Sequence, residues 1–198
     1  MDIQLTEEQE LLRGSLQRLL RDQYDFDARR NIVATVEGFS RKHWNAFAEL
    51  GLCAAPFQES SGGLGGGPLA TMIVMQEFGR NLVVEPFFET VVLAGGIIAQ
   101  AGSSAQREEF LPEIAAGKAT WALAWAEGRS RYDFNNVATT AARHGDEYVL
   151  SGAKAAVIGA PWADRLIVSA RTSGNPRDRS VATTAHFEPR GYAPNPLR

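Results

Sequence analysis

Glu127, Arg129, Arg131 and Asp133 fall within one short stretch, "WALAWAEGRSRYDF", residues 121–134. The stretch runs from a buried strand into a polar loop with an acid, two arginines and a second acid, a loop that could hold a cofactor or only turn a corner. The same four side chains could equally form a surface salt-bridge cluster, and the residue pattern leaves both readings open. The apolar run before them reads as a strand, with Trp121 and Trp125 on one face by period-two alternation.

Other chemistries find less support. "GGLGGGP" satisfies neither Gly-x-Gly-x-x-Gly nor the phosphate-loop pattern and follows no strand, so it predicts a flexible hinge and not a phosphate cradle. His43, His144 and His186 are scattered without ligand spacing, and no metal site is expected. There is no Gly-x-Ser-x-Gly elbow, and Cys53, between Leu52 and Ala54, reads as a packing residue. Glu77, Glu85 and Glu89 are predicted to sit on solvated faces or caps.

The elements that must position these groups divide the chain. Up to Lys118 the periodicity is helical. Thr6 with Gln9 forms a capping box ahead of Leu12, Leu16, Leu19 and Leu20, and Ser40 opens a helix through Trp44, Phe47 and Leu50 that Gly51 closes. Pro68 starts "LATMIVMQEFGR", with Leu69, Met72, Ile73 and Met75 predicted inward. "FFETVVLAGGIIAQAG" is apolar nearly all round, as a central helix should be, and ends at Gly102. Ser103 with Gln106 begins another helix, in which Pro112 is predicted to force a kink or a break. After Gly117 the period becomes that of strands: "TWALAWAE", "VATTAAR", "YVLSGAKAAVI" and "DRLIVSART", with "HGDE" as a turn. The reading is α+β: an all-α bundle over residues 1–118, a partial antiparallel β-barrel over 119–180, and an irregular tail over 181–198.

Composition bounds the partners. The 198 residues are 44% hydrophobic, enough for a core, and the net charge of −3 offers no basic field to nucleic acid or an anionic membrane. One cysteine, an acidic N-terminus and no long apolar run predict a cytoplasmic protein that is neither exported nor inserted in a membrane.

In order and spacing, "LTEEQELLRGSLQRLL", "FAELGL", "GGLGGGPLATMIVMQEFGR", "LPEIAAGKAT", "AWAEGRSRYDF" and "DEYVLSGAKAAVIGAPWADRLIVSART" resemble the acyl-CoA dehydrogenase family over roughly residues 1–180. Within it, "TMIVMQEFGRNLVVEPFFETVVL" and "RSRYDFNNVATTA" are most similar to the small subunit of pimeloyl-CoA dehydrogenase-like proteins. The resemblance implies a helical domain followed by a middle β-barrel, FAD as cofactor, held by this chain alone or only in complex with a partner, an acyl-CoA substrate, α,β-dehydrogenation, and a homo- or hetero-oligomer with another dehydrogenase subunit. It places Leu123, Trp125, Ala126, Ala156 and Ile158 at the flavin, and Tyr132 and Asp133 at the substrate.

The family pattern is only partly kept. Ala126 stands where the motif has threonine, Gly128 where it has proline, and Arg131 and Tyr132 where it has glycine and serine; Glu127 and Asp133 retain its two acids. In the second flavin motif, Gly152 and Lys154 are retained, while Ala156, Val157 and Ile158 fall on Trp-Ile-Thr. Backbone N–H and C=O groups at Trp125 can still meet a flavin edge, because they do not depend on side-chain identity. Family members continue into a C-terminal helical domain with the usual base, so the resemblance implies a chain without that domain, truncated and inactive alone, with no catalytic residue assigned. The alternative is a non-catalytic subunit that binds a complete dehydrogenase.

Overall fold

The computed structural model describes residues 5–130, 133–145, 147–177 and 183–187. They fall into two compact units, Met1–Lys118 and Ala119–Arg198.

Local signals set the helix ends of the first unit. Helix α1 (Glu7–Gln23) starts on the reciprocal capping box of Thr6 and Gln9, and buries Leu16 and Leu20. Asp25 caps α2 (Phe26–Val33), and Ser40 caps α3 (Arg41–Glu49), which buries His43, Trp44 and Phe47. Helix α4 (Gly67–Asn81) packs on α1 and has Pro68 in its first turn, where a missing N–H costs nothing. A π-helical stretch (Phe88–Gly95) runs into α5 (Gly96–Ala101), and a second capping box, Ser103 with Gln106, starts α6 (Ser104–Ala115). Trp44, Phe47, Ile73, Phe87, Leu111 and Ile114 form the centre of this core.

Several expectations need correction here. Met72 is 44% exposed and Leu69 and Met75 are half-buried; α4 turns Ile73 inward as expected, together with Ala70, Val74, Glu77 and Phe78. Helix α6 continues through Pro112 without the break that was one of the two expected outcomes, with Phe110, Leu111, Ile114 and Ala115 buried around the proline. The Gly-rich run is no hinge. Leu64 N–H donates to Ala54 O, Gly65 N–H to Phe57 O and Gly66 N–H to Ala55 O. A Cβ on Gly63 would lie 2.1 Å from Phe57 O, and one on Gly66 2.7 Å from Ala70 Cβ. These glycines permit close backbone packing.

Glu77 and Glu85 are buried, not solvated. Glu77 accepts from Gln17 Nε2 at 3.0 Å and pairs with Arg80. Glu85 accepts from Tyr24 Oη at 2.7 Å and from the Ser40 amide, with His43 Nδ1 3.9 Å away; Val84 N–H donates to Tyr24 Oη. Burial, foremost, with Glu85 beside it, raises the pKa of the Tyr24 hydroxyl. Glu89 is half-buried, and desolvation raises its carboxyl pKa.

The second unit holds two small sheets. Strand β1 (Trp121–Ala124) pairs in parallel with β4 (Arg165–Ala170), and β4 pairs antiparallel with β5 (Thr183–Phe187). Strands β2 (Thr140–His144) and β3 (Glu147–Ser151) form an antiparallel hairpin. The sheet containing β1 is therefore mixed, whereas the sequence predicted antiparallel pairing; a parallel pair needs a long crossover, which residues 125–164 supply. Strand β5 lies within 181–198, the stretch expected to be irregular, and its partner β4 gives it a ladder that its own residues do not advertise. Strand β3 stops at Ser151, short of the predicted 158; beyond it Lys154 turns toward Glu127 and Ala156 takes a left-handed φ of 52°.

Candidate functional site

The loop after β1 is fixed from beneath. Lys154 Nζ donates to Glu127 Oε1 at 2.8 Å, to Ser169 Oγ at 2.9 Å and to Trp125 O at 3.4 Å. Ser169 Oγ also donates to Trp125 O, and Ala155 N–H donates to Ala126 O at 2.9 Å. These bonds draw the backbone out of β1 after Ala124, which is why the strand is shorter than the predicted "TWALAWAE".

Glu127 is the hub. Oε1 also accepts from Thr139 N–H and Thr139 Oγ1, and Oε2 accepts from Ala138 N–H at 2.8 Å. Its side chain is 10% exposed and that of Lys154 8%. Burial alone would raise the carboxyl pKa, but the bonds from Lys154, Thr139 and Ala138 outweigh it and pull the value to about 2. A carboxylate held this way is ionised and a poor proton acceptor at neutral pH. The pairing corrects the salt-bridge reading: the partner of Glu127 is Lys154, 27 residues on, while Arg129 is exposed and Arg131 lies outside the described residues. Lys154 lines an open cleft of about 450 Å³ with Thr139, Tyr148, Leu150, Gly152 and Val168, yet its ammonium is already engaged on three oxygens.

The other anticipated residues are dispersed around this hub. Leu123 is half-buried on β1, and Trp125 and Ala126 are half-buried just beyond it. Ala156 is exposed next to the Ala155–Ala126 bond, so the two segments of the resemblance lie side by side; Ile158 is 65% exposed beyond them. Asp133 is exposed in a turn, where its Oδ1 accepts from Asn135 N–H at 3.1 Å, apart from the Glu127 cluster. Tyr132 lies outside the described residues. Trp121 is buried, while the Trp125 ring stacks on Phe134 with centroids 4.5 Å apart and planes at 26°. Thr139, Ser169, Ser130 and Phe134 carried no signal as site residues: each takes its role from a contact that only the fold creates, with Glu127, Lys154 or Trp125.

The residues present can be tested against a flavin edge. The carbonyls of Trp125 and Ala126 are taken within the chain, and Glu127 N–H donates to Ser130 Oγ at 3.0 Å. The Ala126 amide N–H meets no acceptor among the described residues. A donor beside an aromatic pair fits one acceptor atom and one planar face of an isoalloxazine, without the threonine hydroxyl or the tryptophan ring that the family motif supplies. Among the described residues, no group of three or more His, Cys, Asp or Glu could hold a metal ion, and no helix is long and apolar enough to cross a membrane.

Comparison with known proteins gives the family and the fold. Acyl-CoA dehydrogenase FadE29 of Mycobacterium tuberculosis is 31% identical over 176 residues, 88% of this chain and 45% of that protein. One chain of the solved ChsE4-ChsE5 complex from M. tuberculosis superposes with a TM-score of 0.80 at 26% identity, covering 95% of this chain and 49% of its own. Butyryl-CoA dehydrogenase from Megasphaera elsdenii shares the fold at a TM-score of 0.83 and 24% identity, over 96% of this chain and 50% of its own. The chain thus spans about half the length of the relatives it matches. Residues 6–118 match the family model described as "Acyl-CoA dehydrogenase, N-terminal domain", and the chain belongs to the acyl-CoA dehydrogenase family.

Proposed function

We propose that the chain forms the N-terminal helical domain (1–118) and part of the middle β domain (119–180) of a system that carries out FAD-dependent α,β-dehydrogenation of an acyl-CoA. The observation that carries this reading is the side-by-side locking of segments 125–127 and 154–156 by the Glu127–Lys154 pair and the Ala155–Ala126 bond. Leu123, Trp125, Ala126, Ala156 and Ile158 are assigned to the flavin, and Tyr132 and Asp133 to the substrate. Bound FAD would supply the hydride acceptor. The Ala126 amide orients one acceptor atom, and the ion pair keeps that amide in place. No residue here is assigned as the base. Glu127 is committed to four donors, so the α proton goes to a group outside this set.

The sequence pieces around 71–93 and 129–141 favour a role like that of a pimeloyl-CoA dehydrogenase small subunit, working in the cytoplasm with another dehydrogenase subunit; the relatives include a protein solved as a two-component complex. The alanines at 126 and 156 favour a second reading, a non-catalytic subunit that positions a complete dehydrogenase. Ultrafiltration of the purified chain mixed with FAD separates the two: retention of flavin with the protein is expected, and complete passage of FAD into the filtrate overturns the first reading.

A further inference from the structure

We infer that Phe134, stacked on Trp125, is a ligand-binding residue whose open face takes a planar heteroaromatic ring, the isoalloxazine of FAD. The inference rests on the flavin reading above and adds a residue and a mode of contact to it.

Exposure alone does not single out Phe134. Its 71% is matched by Leu11 at 70% and exceeded by Val36, and scattered exposed apolar residues are ordinary. Two other features set it apart. First, the ring lies nearly parallel to the Trp125 indole, 4.5 Å between centroids and 26° between planes, so one face is covered and the side chain is ordered into a short stack. Second, the described residues of the turn that carries it are anchored at several points. Asp133 N–H donates to Ser130 O at 2.9 Å, Asn135 N–H to Asp133 Oδ1 and Asn136 N–H to Asp133 O. Arg171, 4% exposed, donates to the carbonyls of Asn135, Val137 and Pro176. A buried guanidinium bonded to the Asn135 and Val137 carbonyls holds the backbone just after Phe134, so a ring docking there meets a surface already ordered, and less entropy is lost on binding.

The site also lacks what the stack could replace. Ala156 stands where the family motif has an aromatic ring, and the Trp125–Phe134 pair puts a ring surface on the neighbouring segment, immediately before the Ala126 amide. Stacking on a π-face is tolerant of ring identity, so adenine of CoA is the other ring that could use it.

The test titrates FAD, riboflavin and adenosine 3′,5′-bisphosphate into the full chain and into Phe134→Ala, Phe134→Leu and Phe134→Trp, reading ligand fluorescence or heat. Phe134→Ala is expected to weaken FAD and riboflavin binding about tenfold, Phe134→Leu to weaken them nearly as much, and Phe134→Trp to retain wild-type affinity. The exposed ring predicts unchanged thermal melting in all three variants. Wild-type FAD binding with Phe134→Ala or Phe134→Leu within about twofold of it would overturn this inference and leave the flavin reading standing. Wild-type binding of the bisphosphate alone, weakened in Phe134→Ala, would overturn the flavin reading and assign the stack to adenine. Binding of none of the three by the wild type would overturn both.

Discussion

Glu127 engages both carboxylate oxygens with groups of its own chain, and this gives it a measurable acid signature. Its folded-state pKa of about 2 lies below the ordinary 4.5. A depressed carboxyl stabilises the fold above its unfolded pKa and loses that contribution as pH falls toward the folded value. The second unit is therefore expected to lose stability between about pH 4.5 and 2. Glu127→Gln should cost on the order of 2 kcal/mol at neutral pH, because Lys154 keeps its burial without its anion, and should flatten that acid limb. Denaturant melts followed by far-UV circular dichroism across this range check it; a variant with the wild-type pH profile contradicts the assignment of Glu127 as the hub. The acid itself was legible in "AWAEGRSRYDF", but its partner was not. Arg129 and Arg131 are near in sequence, and only the fold brings Lys154 and Thr139 within bonding distance of its carboxylate.

At the scale of elements, what could be read was local. The capping boxes of Thr6 with Gln9 and Ser103 with Gln106 need only four consecutive residues, and both form as the sequence predicts. The parallel pairing of β1 with β4, the strand β5 and the burial of Glu77 and Glu85 all depend on distant partners, so no periodicity announced them. The Gly-rich run shows the limit of composition. Glycine runs suggest flexibility, yet the backbone of 63–66 packs against 54–57. Gly63→Ala is expected to destabilise the first unit by about 3 kcal/mol, since the added methyl would fall 2.1 Å from Phe57 O and the backbone must move to admit it. Thermal unfolding of the variant reads this, and a melting curve matching the wild type would restore the hinge.

At the scale of the molecule, a helical unit and a small mixed β unit carry the family's fold over about half the length of the matched relatives. The net charge is −3, with the two signs interspersed along the sequence. Within the second unit the proposed site centres on the Trp125–Glu127 loop, and the central claim is that the loop holds a flavin beside an acyl-CoA. The visible absorbance spectrum of the purified protein with FAD, recorded before and after a medium-chain acyl-CoA is added, tests it most directly. The account predicts a spectrum shifted from that of free FAD and shifted again by the thioester; a spectrum identical to free FAD in both conditions would contradict it.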